Sequence, residues 1–293
     1  MFQQLACRVE ENFSIKSITT MAVGGACKYY IIPQSIEDLQ TVTRISRDRG
    51  MKLLIIGNGS NIIVDDDGFD GIVLHIGKRL GEMRLEQNYL YAEAGVSLPK
   101  IALKMASEGK KGFEFMVSIP GTVGGAVIMN AGSAGREMSD VLHSVTYLDE
   151  EGNLLTKSAE ECGLSFRSSG FTGTNAIILS AQFHVEYAED RSELMLATKK
   201  IATVRKSKFP MNVKTVGSTF KSPASGPHPG KCIEAVGLKG YRIGNVEISP
   251  VHGNWIINLG NATSRDVKSI ISLMKDTVAE RLGIDMEQEV IYV

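Results

Sequence analysis

The sequence predicts an α+β fold, with two βα-type stretches followed by a separate, smaller α+β unit. Three observations carry this. Short apolar runs with strand spacing alternate with helical spacing through the first part of the chain. Glycine-rich loops interrupt that alternation at 57–61 and 119–126. After LysPheProMet (208–211), a domain boundary, come a proline-rich loop, an apolar strand and one long capped helix. A chain of 293 residues has room for one large domain or two to three ordinary ones.

The elements follow in order. Residues 26–32 read as a strand. Ser35 caps a helix with Ile36, Leu39, Val42 and Ile45 on one face, and Gly50 stops it. Residues 53–56 and 62–64 are short apolar strands flanking the first glycine loop. A period-two strand follows at 72–76, another near 89–94, and Ser97 opens a helix ending at Gly109. Beyond the glycine-rich stretch 119–135, strands are expected near 141–148 and 176–187. Asp190 and Glu193 form a capping-box pattern for a helix reaching about Lys206. Residues 223–230 hold too much proline for a helix or central strand. An apolar strand is expected at 252–258. Thr263 and Asp266 then cap a long helix burying Ile270, Ile271, Met274, Val278 and Leu282. Gly283 ends it, and a strand at 288–293 closes the fold.

Apolar residues at 43% and charged residues at 22% permit a packed core. Lys plus Arg (32) balance Asp plus Glu (33), which argues against a nucleic-acid groove or polybasic membrane surface. The cysteines (Cys7, Cys27, Cys162, Cys232) are scattered, so buried free thiols are expected rather than zinc or disulfides. The N-terminus carries charges where a signal peptide needs an apolar run, and no membrane-length apolar stretch occurs. A soluble, cytoplasmic protein is the expectation.

Common catalytic signatures are absent: no GxGxxG opening a helix, no GxxxxGK[ST], no HExxH and no GxSxG. The histidines (75, 143, 184, 228, 252) are dispersed, and His75 and His184 sit in strand patterns as structural residues. The two glycine loops remain. Gly57, Asn58, Gly59, Ser60 and Asn61 can aim main-chain N–H groups outward as an anion-binding nest. Ile119, Pro120, Gly121, Thr122, Gly124, Gly125 and Ala126 form a longer loop whose glycines permit close backbone approach. Either loop alone also reads as a tight turn. Two of them, each after a strand, suit a ligand with two phosphates. In GlySerThrPheLys (217–221), Ser218 beside Lys221 reads either as a proton donor near an anion or as turn chemistry. Arg167 and Glu289 taken singly read as surface charges. The residues alone lead to a flavin- or nucleotide-sized diphosphate site and an unassigned polar site.

Eight segments then fall into a known order: 19–25, 57–64, 119–132, 166–169, 217–223, 237–240, 252–258 and 287–290. Among them are ThrThrMetAlaValGlyGly, IleProGlyThrValGlyGlyAlaValIleMetAsnAlaGly, PheArgSerSer, GlySerThrPheLysSerPro and HisGlyAsnTrpIleIleAsn. From about residue 14 onward the chain resembles the UDP-N-acetylenolpyruvoylglucosamine reductase family, flavoenzymes of peptidoglycan precursor synthesis. The resemblance implies a two-part FAD-binding domain of the vanillyl-alcohol-oxidase (PCMH) type over 1–75 and 76–207. It further implies a substrate-binding domain over 208–285 and a strand, 286–293, returning to the active site. FAD would be non-covalent, with NADPH as co-substrate and a UDP-sugar as substrate. No metal, nucleic acid, membrane or obligate protein partner is implied.

Carried over by position, Arg167, Ser218 and Glu289 match the catalytic residues. Asn130 joins the two loops at the cofactor, and Arg205, Lys221 and Asn254 lie toward the substrate. The implied chemistry is hydride addition from flavin N5 to C3 of the enolpyruvyl group and protonation at C2 by Ser218. Arg167 and Glu289 stabilise the enolic charge, and Glu289 is expected where its pKa is raised. The chain departs from the family pattern at Phe166 (usually Tyr), Phe209 (usually Gln or His) and 245–250. It fits the compact subtype, which lacks a long tyrosine-bearing insertion. A competing reading is another flavin-dependent oxidase or dehydrogenase of the same fold. A passive nucleotide-binding module is a third.

Overall fold

A computed structural model describes Phe2, residues 5–210 and residues 212–293. The fold is α+β, and the chain divides into two compact units. The first comprises Met1–Glu11, Lys28–Asn58 and Asp70–Arg205, the second Asn12–Cys27, Gly59–Phe69 and Lys206–Val293.

The first unit carries most of a four-stranded sheet ordered Arg8–Ser14, Ala26–Ile32, Phe69–His75, Lys52–Ile56. Its last two strands are parallel, Leu53 opposite Ile72 and Ile55 opposite Leu74. Helix α1 (Ile36–Asp48) starts as expected, with the Ser35 hydroxyl accepting from Asp38 N–H at 3.2 Å. Its Leu39 and Val42 join Ile31, Ile72 and Leu74 in the core, whereas Ile36 in the first turn is exposed. A five-stranded antiparallel sheet follows, in the order Leu154–Ser158, Leu142–Leu148, Ile177–His184, Tyr89–Glu93, Met83–Glu86. Helix α2 (Leu98–Ser107) packs Ile101 and Met105 inward.

The glycine-rich stretch holds a difference from expectation. It contains a short helix, α3 (Val123–Ile128), and follows a 3-10 turn (Glu114–Ser118) rather than a strand. Two adjacent glycines are poor helix formers. Here tertiary acceptors override propensity: Val123 N–H donates to Val96 O and Gly124 N–H to Ala94 O, both at 2.9 Å. The strand expected at 176–187 breaks at Val185, and Glu186–Tyr187 pairs with Lys110–Lys111 instead. Helix α4 (Arg191–Lys208) is capped by Asp190, whose carboxylate accepts from Ser192 and Glu193 N–H.

In the second unit, helix α5 (Pro229–Ala235) begins inside the proline-rich loop that was expected to exclude helix. Pro229 occupies the first helical position, where a missing N–H costs nothing, and the His228 ring accepts from Gly230 N–H at 3.1 Å. Helix α6 (Ser264–Leu282) has the expected capping box between Thr263 and Asp266, and Gly283 closes it at φ 66°. Leu282 lies in the last turn and is exposed, unlike Val278. Three antiparallel strands, Arg242–Ile243, Val246–Ile248 and Ile256–Asn258, pack on α6 through Val246, Ile248, Ile270 and Met274. The strand expected at 252–258 is shortened because Ser249 Oγ accepts from Val251 and His252 N–H, folding 249–255 into a turn. The closing strand reduces to Ile291–Tyr292, parallel to Ile62–Ile63.

Cys27, Cys162 and Cys232 are buried and Cys7 is half-buried. Burial and neighbouring Asp38 push the Cys7 thiol up to about 11, so it stays protonated at neutral pH. Among the described residues no His, Cys, Asp and Glu group of three or more could hold a metal, and no helix is long and apolar enough to cross a membrane.

Candidate active site

Within the first unit the two glycine loops touch. Asn58 Nδ2 donates to Pro120 O at 3.1 Å. A Cβ on Gly57 would lie 2.4 Å from Thr122 Oγ1, so the approach of the loops demands glycine there. Gly121 and Gly125 are different. A Cβ on Gly121 would meet only Ile119 Cγ2, at 3.8 Å, and one on Gly125 only Thr122 Oγ1, at 4.0 Å. Neither has positive φ. No described protein atom requires glycine at these positions, which fits a main-chain surface left bare for a ligand such as a flavin diphosphate. Gly124 is a packing glycine, its Cβ position 3.1 Å from Ala94 Cβ. Ala126 is buried.

Arg167 sits on a tight turn in which Ser165 and Ser168 exchange main-chain hydrogen bonds of 3.0 and 3.1 Å. Its φ of 56° is left-handed, a conformation costing a non-glycine residue about 1–3 kcal/mol and favoured at functional sites. One guanidinium nitrogen donates to Gly132 O at 3.1 Å, and the group lies 4.8 Å from the ring of exposed Phe166. Phe166 thus supplies an apolar flank and no hydroxyl. Asn130, expected at the cofactor, is fully buried. Its carboxamide donates to Ser165 O and accepts from Ser139 N–H, both at 3.0 Å, so it supports the Arg167 turn.

His75, at the end of its strand beside Gly57, is held by the Tyr30 hydroxyl at 2.6 Å, and burial pushes its pKa down. It is a structural residue, as its strand position implied. His184 is exposed and rests on Tyr89 and His143. Arg205, the last residue of the first unit, is half-buried, and burial lowers its pKa.

In the second unit, Gly59 adopts φ 57°, and a Cβ there would lie 2.6 Å from Ile18 O. Its carbonyl accepts from Thr20 N–H. Ser60 and Asn61 follow on the same loop. Ser218 and Glu289 come together. The segment 218–221 runs between 252–255 and 287–289: Thr219 N–H donates to Asn254 O at 2.8 Å, and Glu289 N–H to Thr219 O at 2.9 Å. Ser218 pairs with Trp255, and Phe220 with Gln288. Asn61 brackets Glu289, its Nδ2 donating to Glu289 O at 3.2 Å and its carbonyl accepting from Ile291 N–H at 3.0 Å. Lys221 is ion-paired to Glu287 at 2.6 Å. Asn254 is fully buried, its side chain engaged by Phe220.

Sequence reading passed over an aromatic cluster adjoining Ser218. Phe209 stacks on His252 with ring centroids 4.8 Å apart and leans on Trp255 at 4.9 Å, while His228 meets His252 edge-on. The run HisGlyAsnTrp was the available signal. Burial, then the neighbouring His228, holds His252 down at about 4. The folded state favours neutral imidazole, so above an ordinary value of about 6.5 the group costs nothing. Between 6.5 and 4 the unfolded chain binds the extra proton, so stability is lost as the pH is lowered through this window. Urea midpoints measured at pH 7 and pH 4.5 should differ less for His252→Gln than for the parent. An identical acid slope would contradict this.

The chain as a whole has counterparts among known proteins. A family profile described as an FAD binding domain matches residues 27–158, placing the chain among FAD-binding proteins. A second, described as UDP-N-acetylenolpyruvoylglucosamine reductase, C-terminal domain, matches residues 209–293. UDP-N-acetylenolpyruvoylglucosamine reductases from Alkaliphilus oremlandii and Syntrophomonas wolfei are 37% and 38% identical, over 94% and 97% of this chain and 90% and 94% of theirs. The solved structure of the Thermus caldophilus enzyme superposes with a TM-score of 0.84 at 31% identity, covering 98% of this chain and 99% of that one. The chain belongs to the UDP-N-acetylenolpyruvoylglucosamine reductase family.

Proposed function

We propose that the protein reduces the enolpyruvyl group of UDP-N-acetylglucosamine enolpyruvate to UDP-N-acetylmuramate at the expense of NADPH. Bound FAD supplies the redox centre between the two substrates. The chain's own residues bind, orient and protonate. In this reading 1–75 and 76–207 hold the cofactor, although 12–27 and 59–69 pack in the second unit, with bare main chain at Gly121 and Gly125 approaching its diphosphate. Residues 208–285, closed by 286–293, take the substrate. Ser218 holds the proton destined for C2. Arg167 presents a planar fork to the substrate carboxylate, and Glu289 shares the enolic charge. Lys221 and Arg205 lie on the substrate side as cations for an anionic sugar nucleotide.

The observation that supports this best is the Glu289 N–H to Thr219 O bond, which brings the Glu289 and Ser218 segments side by side. The test is the visible spectrum of the purified protein. NADPH should bleach a two-peaked flavin spectrum, and the enolpyruvyl substrate should restore it without oxygen. Restoration by oxygen alone would identify an oxidase of the same fold.

A variant tests the cradle. Gly125→Val should purify folded but nearly free of flavin, since the side chain enters space no described protein atom fills. Gly124→Val should instead lower stability through its clash with Ala94. Flavin content and thermal midpoints of both proteins separate the two effects, and full flavin retention in Gly125→Val would refute the placement.

A further inference from the structure

The Asn254 side chain behaves as a short piece of β-strand. Its Oδ1 accepts from Phe220 N–H at 3.0 Å and its Nδ2 donates to Phe220 O at 2.8 Å, so one carboxamide pairs both main-chain groups of one residue. Asn254 O takes the N–H of Thr219, completing three bonds to two consecutive residues. Asn254 is 0% exposed, and Phe220 is equally buried, with its ring in the core of the second unit. The amide orientation is fixed by its partners, since an N–H needs an acceptor and a carbonyl a donor. On the far side, the same segment holds Glu289 and Gln288.

We infer that Asn254 is a positioning residue for the proton-transfer half of the reaction, setting the register of the segment that carries Ser218 between the Trp255 and Glu289 segments. This rests on the reading of Ser218 as proton donor. Asn254 was expected at the substrate, but a fully buried carboxamide engaged by main chain acts through Ser218. Displacement of a reacting group by about 1 Å is enough to cost on the order of 10²-fold in rate.

An isosteric variant tests this, because its two protonation states carry opposite predictions. In Asn254→Asp, the protonated carboxyl can still accept from Phe220 N–H and donate to Phe220 O. The carboxylate would face the Phe220 carbonyl with no proton between them, which raises its pKa through burial and repulsion. His252 on the same turn is held down at about 4 and is largely neutral above pH 5, and His228 beside it is also pushed down by burial. Lys221, Glu287 and Glu289 on the flanking segments face the site alike in variant and parent, so the ratio to the parent isolates residue 254. His252 Nδ1 accepts from Asn254 N–H at 3.3 Å in either case.

The measurement is stopped-flow kinetics of the holoenzyme between pH 5 and 9, as ratios to the parent. Reduction by NADPH should be unchanged in Asn254→Asp. Reoxidation by the enolpyruvyl substrate should fall about 10–100-fold at high pH and recover toward parental as pH drops. Asn254→Leu should show the loss without the recovery. If the leucine variant does not fold, the aspartate variant alone carries the comparison. A flat ratio for Asn254→Asp, or equal losses in both half-reactions, would overturn the inference. A parent that NADPH reduces but the enolpyruvyl substrate cannot reoxidise would instead overturn the underlying function.

Discussion

Replacing Ser218 with alanine should leave flavin reduction by NADPH nearly intact and slow reoxidation by the enolpyruvyl substrate about 10²–10⁴-fold, the range of a lost general acid. The change is surgical. Ser218 is half-buried, and its segment is held by main-chain bonds from Thr219 to Asn254 and from Glu289 to Thr219, none involving the hydroxyl. In the proposed mechanism only the proton donor is removed. The proton is needed after the hydride has been delivered, so the first half-reaction has no use for it. Stopped-flow traces of the separate halves distinguish the outcomes. Equal losses in both would mean that Ser218 positions cofactor or NADPH, and the assignment as acid would be wrong.

Arg167→Lys should cost about 10²–10³-fold in the same half-reaction, the scale of a lost donor to developing negative charge. Lysine keeps the charge but loses the planar fork. The fork here is pre-set: the turn between Ser165 and Ser168 holds the backbone at φ 56°, Gly132 O takes one donor, and Phe166 lies against the guanidinium. A flexible ammonium with no second anchor would spend its time elsewhere. The decisive readout is a fall in single-turnover reoxidation with reduction by NADPH unchanged. A variant altered only in its KM for NADPH would move Arg167 to the wrong substrate.

Much of this was legible in the sequence because the signals were local. Ser35 before a helical run and the Thr263–Asp266 capping box each announce a helix start within four residues, and both appear as read. Glycines at 57–61 and 119–126 marked the loops for the same reason. What escaped reading depends on partners far along the chain. Helix α3 exists because Val96 and Ala94 offer acceptors to its first turn. Asn130 and Asn254 looked like ligand contacts, because an exposed amide and one engaged by main chain 34 or 35 residues away have the same local sequence. The Phe209, His252 and Trp255 stack likewise forms from residues that no periodicity links.

The construction of the second unit has a consequence for biosynthesis. It is assembled from three separated stretches, and its strand Ile62–Ile63 waits for Ile291–Tyr292 to pair with it. Met21, Val23 and Ile63, all essentially buried in the finished core, are made long before Phe220, Ile270 and Met274, which cover them. Closing so long a loop costs only logarithmically more than closing a short one, but contacts this distant form slowly. While synthesis continues, those apolar residues face water and are open to association with other chains. The nascent protein therefore passes through a stage in which much of the first unit can already be packed while the residues around Glu289 have yet to be translated. Its yield in a cell should depend on chaperone capacity more steeply than its final stability would suggest.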